Sequence, residues 1–173
     1  VSIERHFADG GRLVTLLGPS GSGKTRLAWR YAETRLEAWP GGAWFCELSD
    51  ATDLDEACRS IAAALEVPLT GRDPATQLGH ALAGRGRTLV VLDAVEASAA
   101  IIDGLTSRWL ARAPEVRFLV TSRLVLRAEG ERIVAVDPLP EAEAINLLRM
   151  RASETGRELG TTRKTSTDLA AIV

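Results

Sequence analysis

The chain has 173 residues, 46% of them hydrophobic and 25% charged, which suits one domain with one sizeable core. A formal net charge of −2 argues against a surface built throughout for nucleic acid. No apolar run approaches the ~18 residues that a membrane helix needs, and no signal peptide is visible, so a cytoplasmic domain is expected.

In chain order, "RLVTLL" (12–17) reads as the first buried strand. Residues 24–37 carry Leu27, Ala28, Tyr31 and Ala32 at helical spacing. "GAWFCEL" (42–48) is the second strand. Residues 53–65 follow as a helix with Leu54, Ala57, Cys58, Ile61, Ala64 and Leu65 on one stripe; Thr52 is its expected N-cap, with Asp55 three residues on. Asp73 and Pro74 open a helix through Leu78 and Leu82. "TLVVL" (88–92) is the third strand, 97–112 a helix ended before Pro114, "VRFLVT" (116–121) the fourth strand, "RIVAV" (132–136) a weaker fifth and 141–151 a last helix. Strands alternating with helices predict an α/β fold with right-handed crossovers and a mostly parallel sheet. The polar run 152–168 reads as a mobile linker and 169–173 as a truncated helix start, so the expected domains are 1–151 and 152–173. Cys46 and Cys58 sit in apolar patterns as small core residues and, with His6 and His80, give no zinc spacing. Trp29 and Trp109 are either core or contact surface, with core preferred.

Gly18-Pro19-Ser20-Gly21-Ser22-Gly23-Lys24-Thr25 matches G-x-x-x-x-G-K-[ST] between a strand and a helix. Its glycines allow backbone N–H groups to turn inward around phosphate oxygens, and the next helix points its positive end at the same place. Lys24 is one of two lysines, the other being Lys164, in a chain whose remaining basic residues are all arginine. A compact ammonium fits between β- and γ-phosphates where a guanidinium does not. Arg26 follows directly and is counted with the nucleotide-binding residues. Thr25 offers a hydroxyl to Mg²⁺, and Asp93, closing a buried strand, offers a carboxylate to the same ion or, alternatively, a helix cap. Ala94 stands next, unable to orient a water. Glu96 either compensates or is a solvated helix-start residue. Thr121, Ser122 and Arg123 end the fourth strand, where Arg123 is either a γ-phosphate sensor or a surface arginine.

Together, "RLVTLLGPSGSGKTRLAWRYAE", "GGAWFCELSDATDLDEACRSIAAALEVPL", "LVVLDAVEA", "APEVRFLVTSR" and "VDPLPEAEAINLL" resemble the STAND class of signal-transduction ATPases, with their NB-ARC-like domains, and most nearly those of bacterial LuxR- and SARP-type transcriptional regulators. The resemblance covers most of residues 11–150. It implies a P-loop three-layer α/β/α sandwich of five strands, with the strand bearing Thr121 to Arg123 inserted between those ending at Gly18 and Asp93. It implies an ATP/ADP switch with Mg²⁺ held by Thr25 and Asp93, phosphates at Gly18 to Thr25, a sensor at Arg123, and Pro138 to Pro140 leading towards a helical lid, with Pro138 near the nucleotide. It further implies partner domains on the same polypeptide, with a nucleotide-dependent oligomer as one option; the arginines, spread out and mixed with acids without a recognition-helix pattern, argue against direct nucleic-acid contact, and no apolar run suits a membrane. The family usually has Asp or Asn where Ala94 stands, so slow hydrolysis is expected, assigned to Lys24, Asp93, Glu96 and Arg123. The upstream base-holding motif and the downstream G-x-P region and winged helix are absent from these 173 residues. The rival is a non-hydrolysing, nucleotide-bound scaffold. A small-molecule kinase needs an arginine lid, for which "VLRAEGER" (125–132) is a faint candidate.

Overall fold

A computed structural model describes residues 2–154. The chain forms two compact units that part between Val136 and Asp137. The first unit runs α1 (Ser2–Ala8), β1 (Leu13–Leu17), α2 (Lys24–Thr34), a 3-10 turn (Leu36–Ala38), β2 (Ala43–Glu47), α3 (Leu54–Ala64), α4 (Pro74–Arg85), β3 (Leu89–Asp93), a second 3-10 turn (Val95–Ser98), α5 (Ala99–Arg112), β4 (Arg117–Ser122) and β5 (Glu131–Ala135). The second unit holds α6 (Glu141–Glu154) among the described residues. Since α6 runs to Glu154, the first three residues of the expected linker are helical; the rest of that reading, and the helix start at 169–173, lie outside the described residues.

The five strands form one parallel sheet in the order β2-β3-β4-β1-β5. The three inner strands are buried on both faces, which is why they read as unbroken apolar runs. Their side chains alternate between two cores. Leu13, Val90, Leu92, Phe118 and Val120 pack with Ile61, Leu78, Leu82 and Trp109 of α3, α4 and α5. Val14, Leu16, Leu89, Val91 and Leu119 pack with Ala28 and Tyr31 of α2, Ile3 of α1 and Trp39. The result is the expected three-layer α/β/α sandwich, with β4 inserted between β1 and β3.

Several local expectations are corrected. Helix α1 was not anticipated; Ile3 is wholly buried, and Tyr31 donates a hydrogen bond to Glu4 at 3.1 Å. Trp109 is core, but Trp29 is 54% exposed. The buried stripe of α2 is Lys24, Ala28 and Tyr31, and Trp29 falls one position off it. The N-cap of α3 is Asp53, not Thr52. Its carboxylate accepts from the Glu56 amide at 2.8 Å, while the Thr52 amide and hydroxyl both donate to the Glu56 carboxylate. Those two Thr52 bonds hold the Glu56 carboxyl below its usual range. Asp53→Ala is therefore expected to lower the thermal midpoint by about 2–4 °C, the usual effect of one lost cap in a domain this size. Differential scanning calorimetry checks it. Cys46 and Cys58 are both buried free thiols, as expected. Burial pushes their pKa values up to about 12 and about 11.

Candidate functional site

The site forms at the carboxyl edge of the sheet, where β1, β3 and β4 end side by side. Beyond Leu17 the chain must turn sharply. The Gly18 amide donates to the Ser122 carbonyl at 3.2 Å. A Cβ on Gly18 would run into the Val136 carbonyl oxygen, so only glycine fits. Gly21 and Gly23 take φ of 78° and 89°, in the left-handed region, and turn the loop back on itself. Helix α2 then starts from Gly23 with no side-chain cap, so its first-turn amides are left for an anion. Lys24 is buried in that first turn, and its Nζ donates to the carbonyls of Gly18 at 2.9 Å and Pro19 at 2.7 Å. The ammonium is thereby aimed back across the loop. Ser22 Oγ is buried with no hydrogen-bond partner among the described residues.

Asp93 closes β3, 6% exposed, and its carboxylate gathers two hydroxyls. Thr25 Oγ1 donates to it at 2.9 and 3.1 Å, and Thr121 Oγ1 donates to Oδ1 at 2.6 Å. The Thr121 hydroxyl also accepts from the Ala94 amide at 3.0 Å. Ala94 has φ 56° and ψ 52°, a strained conformation for a residue with a Cβ, and the Thr121 bond helps to hold it there. The turn after β3 starts from Ala94 without a side-chain cap, so Asp93 caps no helix. Two residues on, Glu96 reaches across to the turn after β4. Its Oε1 accepts from the Arg123 amide at 2.9 Å and lies 3.3 Å from the Arg123 Nε. Ser122 Oγ accepts from the Leu124 amide at 2.9 Å and tightens the same turn.

A family model described as an AAA domain matches residues 7–105, more than half of the chain. The chain belongs to the AAA domain family. An uncharacterized protein of Mycobacterium tuberculosis is 35% identical to this AAA domain over 153 residues, covering 86% of this chain and 38% of the relative. A candidate HTH-type transcriptional regulator of the same organism is 33% identical over 144 residues, 82% of this chain and 16% of the relative. This AAA domain therefore spans well under half the length of these curated relatives. Among solved structures, Cdc6p from Pyrobaculum aerophilum superposes with a TM-score of 0.66 at 17% identity, over 88% of this chain and 46% of that one. A STAND protein with a tetratricopeptide repeat sensor from Pyrococcus horikoshii gives 0.54 at 16% identity, over 99% and 27%. These likenesses are of fold, that of P-loop ATPases.

In this AAA domain the residues singled out from sequence fall into two linked groups. Gly18, Pro19, Lys24, Thr25 and Asp93 are joined by the hydrogen bonds above, with Gly21, Ser22 and Gly23 shaping the same loop. Ser20 and Arg26 are exposed on the rim. Glu96 and Arg123 are brought together with each other. Pro138 alone belongs to the second unit. Sequence reasoning missed the link from Thr121 to Asp93. The available signal was register: β3 pairs with β4 through Leu92 and Val120, so the next residues on each strand, Asp93 and Thr121, fall abreast.

Proposed function

We propose that this AAA domain binds ATP with Mg²⁺ and acts as a nucleotide-dependent switch of the STAND type within a larger regulator. One observation carries the reading. The last hydroxyl of the phosphate loop, Thr25, bonds to the buried carboxylate that ends β3, beside a lysine folded over a glycine loop. A buried carboxylate and a hydroxyl side by side are the donor set of a hard divalent cation. The orphaned Ser22 hydroxyl and the uncapped start of α2 fit the oxygens of a phosphate chain. A bound Mg²⁺ would neutralise charge on the β- and γ-phosphates. Lys24 would exchange its two carbonyl partners for phosphate oxygens, and Thr25 and Asp93 would hold the ion. Arg123 would meet the terminal phosphate from the end of β4.

The larger regulator is supported by the 33% identity to a candidate HTH-type regulator, of which this chain covers a sixth. Calorimetric titration with ATPγS and Mg²⁺ tests the core of the reading; no binding by the wild-type domain would refute it. Ala94 supplies neither carboxylate nor amide beside Asp93, so turnover by the domain is expected to stay below ~1 per second, the low end for ordinary enzymes. A phosphate-release assay measures it. The same Ala94 favours a second reading, a scaffold that stays loaded and never hydrolyses. Single-turnover release of phosphate separates the two.

A further inference from the structure

The geometry assigns Glu96 a role towards Arg123: we propose that it is a latch that positions the sensor arginine and competes with the terminal phosphate for its guanidinium. The inference rests on the ATP reading above and deepens it.

Glu96 leaves the turn after β3 and spans to the turn after β4, 27 residues further on. A single carboxylate oxygen serves both the main chain and the side chain of Arg123, at 2.9 Å from N and 3.3 Å from Nε. The two contacts differ in kind. The amide bond fixes where the Arg123 backbone sits. The ion pair fixes where its charge points. The carboxylate is well covered, its side chain 19% exposed, whereas Arg123 is 57% exposed. Thus Glu96 is the anchored partner and the guanidinium the one able to leave. An ion pair open to water on one side is weak, and a terminal phosphate carries more charge and more acceptor oxygens than a carboxylate. A nucleoside triphosphate would therefore draw the guanidinium off Glu96 while the backbone bond stays. A diphosphate offers no terminal group at that place and leaves the pair closed. The Ala94–Thr121 bond runs beside the Glu96–Arg123 bond, so the ends of β3 and β4 are stitched twice and the arginine swings from a fixed base.

Glu96→Gln separates the two contacts, because the amide oxygen still accepts from Arg123 N but carries no charge. It is expected to raise affinity for ATPγS about fivefold, the scale of one partly exposed ion pair, and to leave ADP affinity unchanged. Both are read by calorimetry with Mg²⁺. Glu96→Ala removes both contacts. In the ligand-free protein, amide hydrogen exchange at Arg123 should quicken in Glu96→Ala and stay slow in Glu96→Gln; equal exchange in wild type and both variants overturns the stitch. In an Arg123→Ala background, Glu96→Gln should no longer alter the ATPγS-to-ADP affinity ratio. An unchanged ratio in the single Gln variant overturns the latch. So does an effect that persists without Arg123, since the carboxylate would then act on the phosphate directly. A wild-type domain that binds neither nucleotide overturns the ATP reading together with the latch, and the wild-type titration alone identifies that case.

Discussion

Lys24→Ala is expected to abolish measurable binding of ATPγS, with a loss of roughly 150- to 25,000-fold. The size follows from what Nζ does. It is a buried-stem ammonium donating to two loop carbonyls, Gly18 and Pro19, 2.9 and 2.7 Å away. Those two bonds hold the ammonium over the loop, so it is already oriented before any ligand binds. Two charge-assisted hydrogen bonds at ~1.5–3 kcal/mol each give that range. Lys24→Arg retains the charge but not the point geometry, and it should recover little, because a broad planar guanidinium cannot reproduce the compact ammonium's two bonds to the Gly18 and Pro19 carbonyls. Calorimetry gives the affinities, and circular dichroism checks that the sheet survives. Unchanged affinity in Lys24→Ala would place the phosphates elsewhere and remove the basis of the whole functional reading.

Much of this molecule was legible because it is local or because it is buried on both sides. The phosphate loop is eight consecutive residues, and its chemistry needs no distant partner. Strands β1, β3 and β4 bury both faces, so "LVTLL", "LVVLD" and "RFLVTS" stand out as apolar runs. β5 was fainter since it is an edge strand, with Ile133 43% exposed. Helix α1 escaped notice because seven residues carry little helical signal of their own. Its formation depends on Ile3 and Phe7 meeting Tyr31 and Trp39 of distant segments, with the Phe7 ring 6.0 Å from Tyr31 and 5.9 Å from Trp39. Trp29 misled for the opposite reason. It lies one residue from the buried stripe of a helix, and a 100° step separates core from solvent. In the site, the resemblance supplied the insertion of β4 between β1 and β3, but the partners of Asp93 depend on register as well. Sequence places Thr121 beside Ser122 and Arg123 at the end of a strand, but not the direction of its hydroxyl, which bonds inward to Asp93 and Ala94. Glu96 shows the same limit. Composition marks it as a carboxylate near the start of a helix, and only the crossing of two strand ends reveals that its oxygen is held by Arg123.

Asp93→Asn is expected to uncouple metal from nucleotide. In wild type, adding Mg²⁺ should strengthen ATPγS binding; in the variant that gain should shrink about tenfold or more, the scale of one charge-assisted contact. Metal-free binding should hold or improve slightly, since the one carboxylate bonded to Thr25 is gone. Asparagine is the informative choice because it keeps an oxygen for Thr25 or Thr121 to donate to. Alanine would leave both hydroxyls without an acceptor at a place where Thr121 is 1% exposed, and unfolding could then masquerade as lost binding. Thr25→Ala should move the Mg²⁺ dependence in the same direction with a smaller effect, since a hydroxyl contributes a neutral ligand where Asp93 contributes a charge. Thr121→Val should act through both Asp93 and Ala94. Its hydroxyl bonds to the carboxylate at 2.6 Å and to the Ala94 amide at 3.0 Å, so its loss frees the carboxylate to tilt and relaxes the left-handed turn that follows. The ordering Asp93→Asn over Thr25→Ala in Mg²⁺ dependence, measured by titrating the metal at fixed nucleotide, is what a cation at this carboxylate demands. If Asp93→Asn left the Mg²⁺ gain intact, Asp93 would be a buried acceptor tying β3 to α2 and β4, and the ion would have to sit on other ligands.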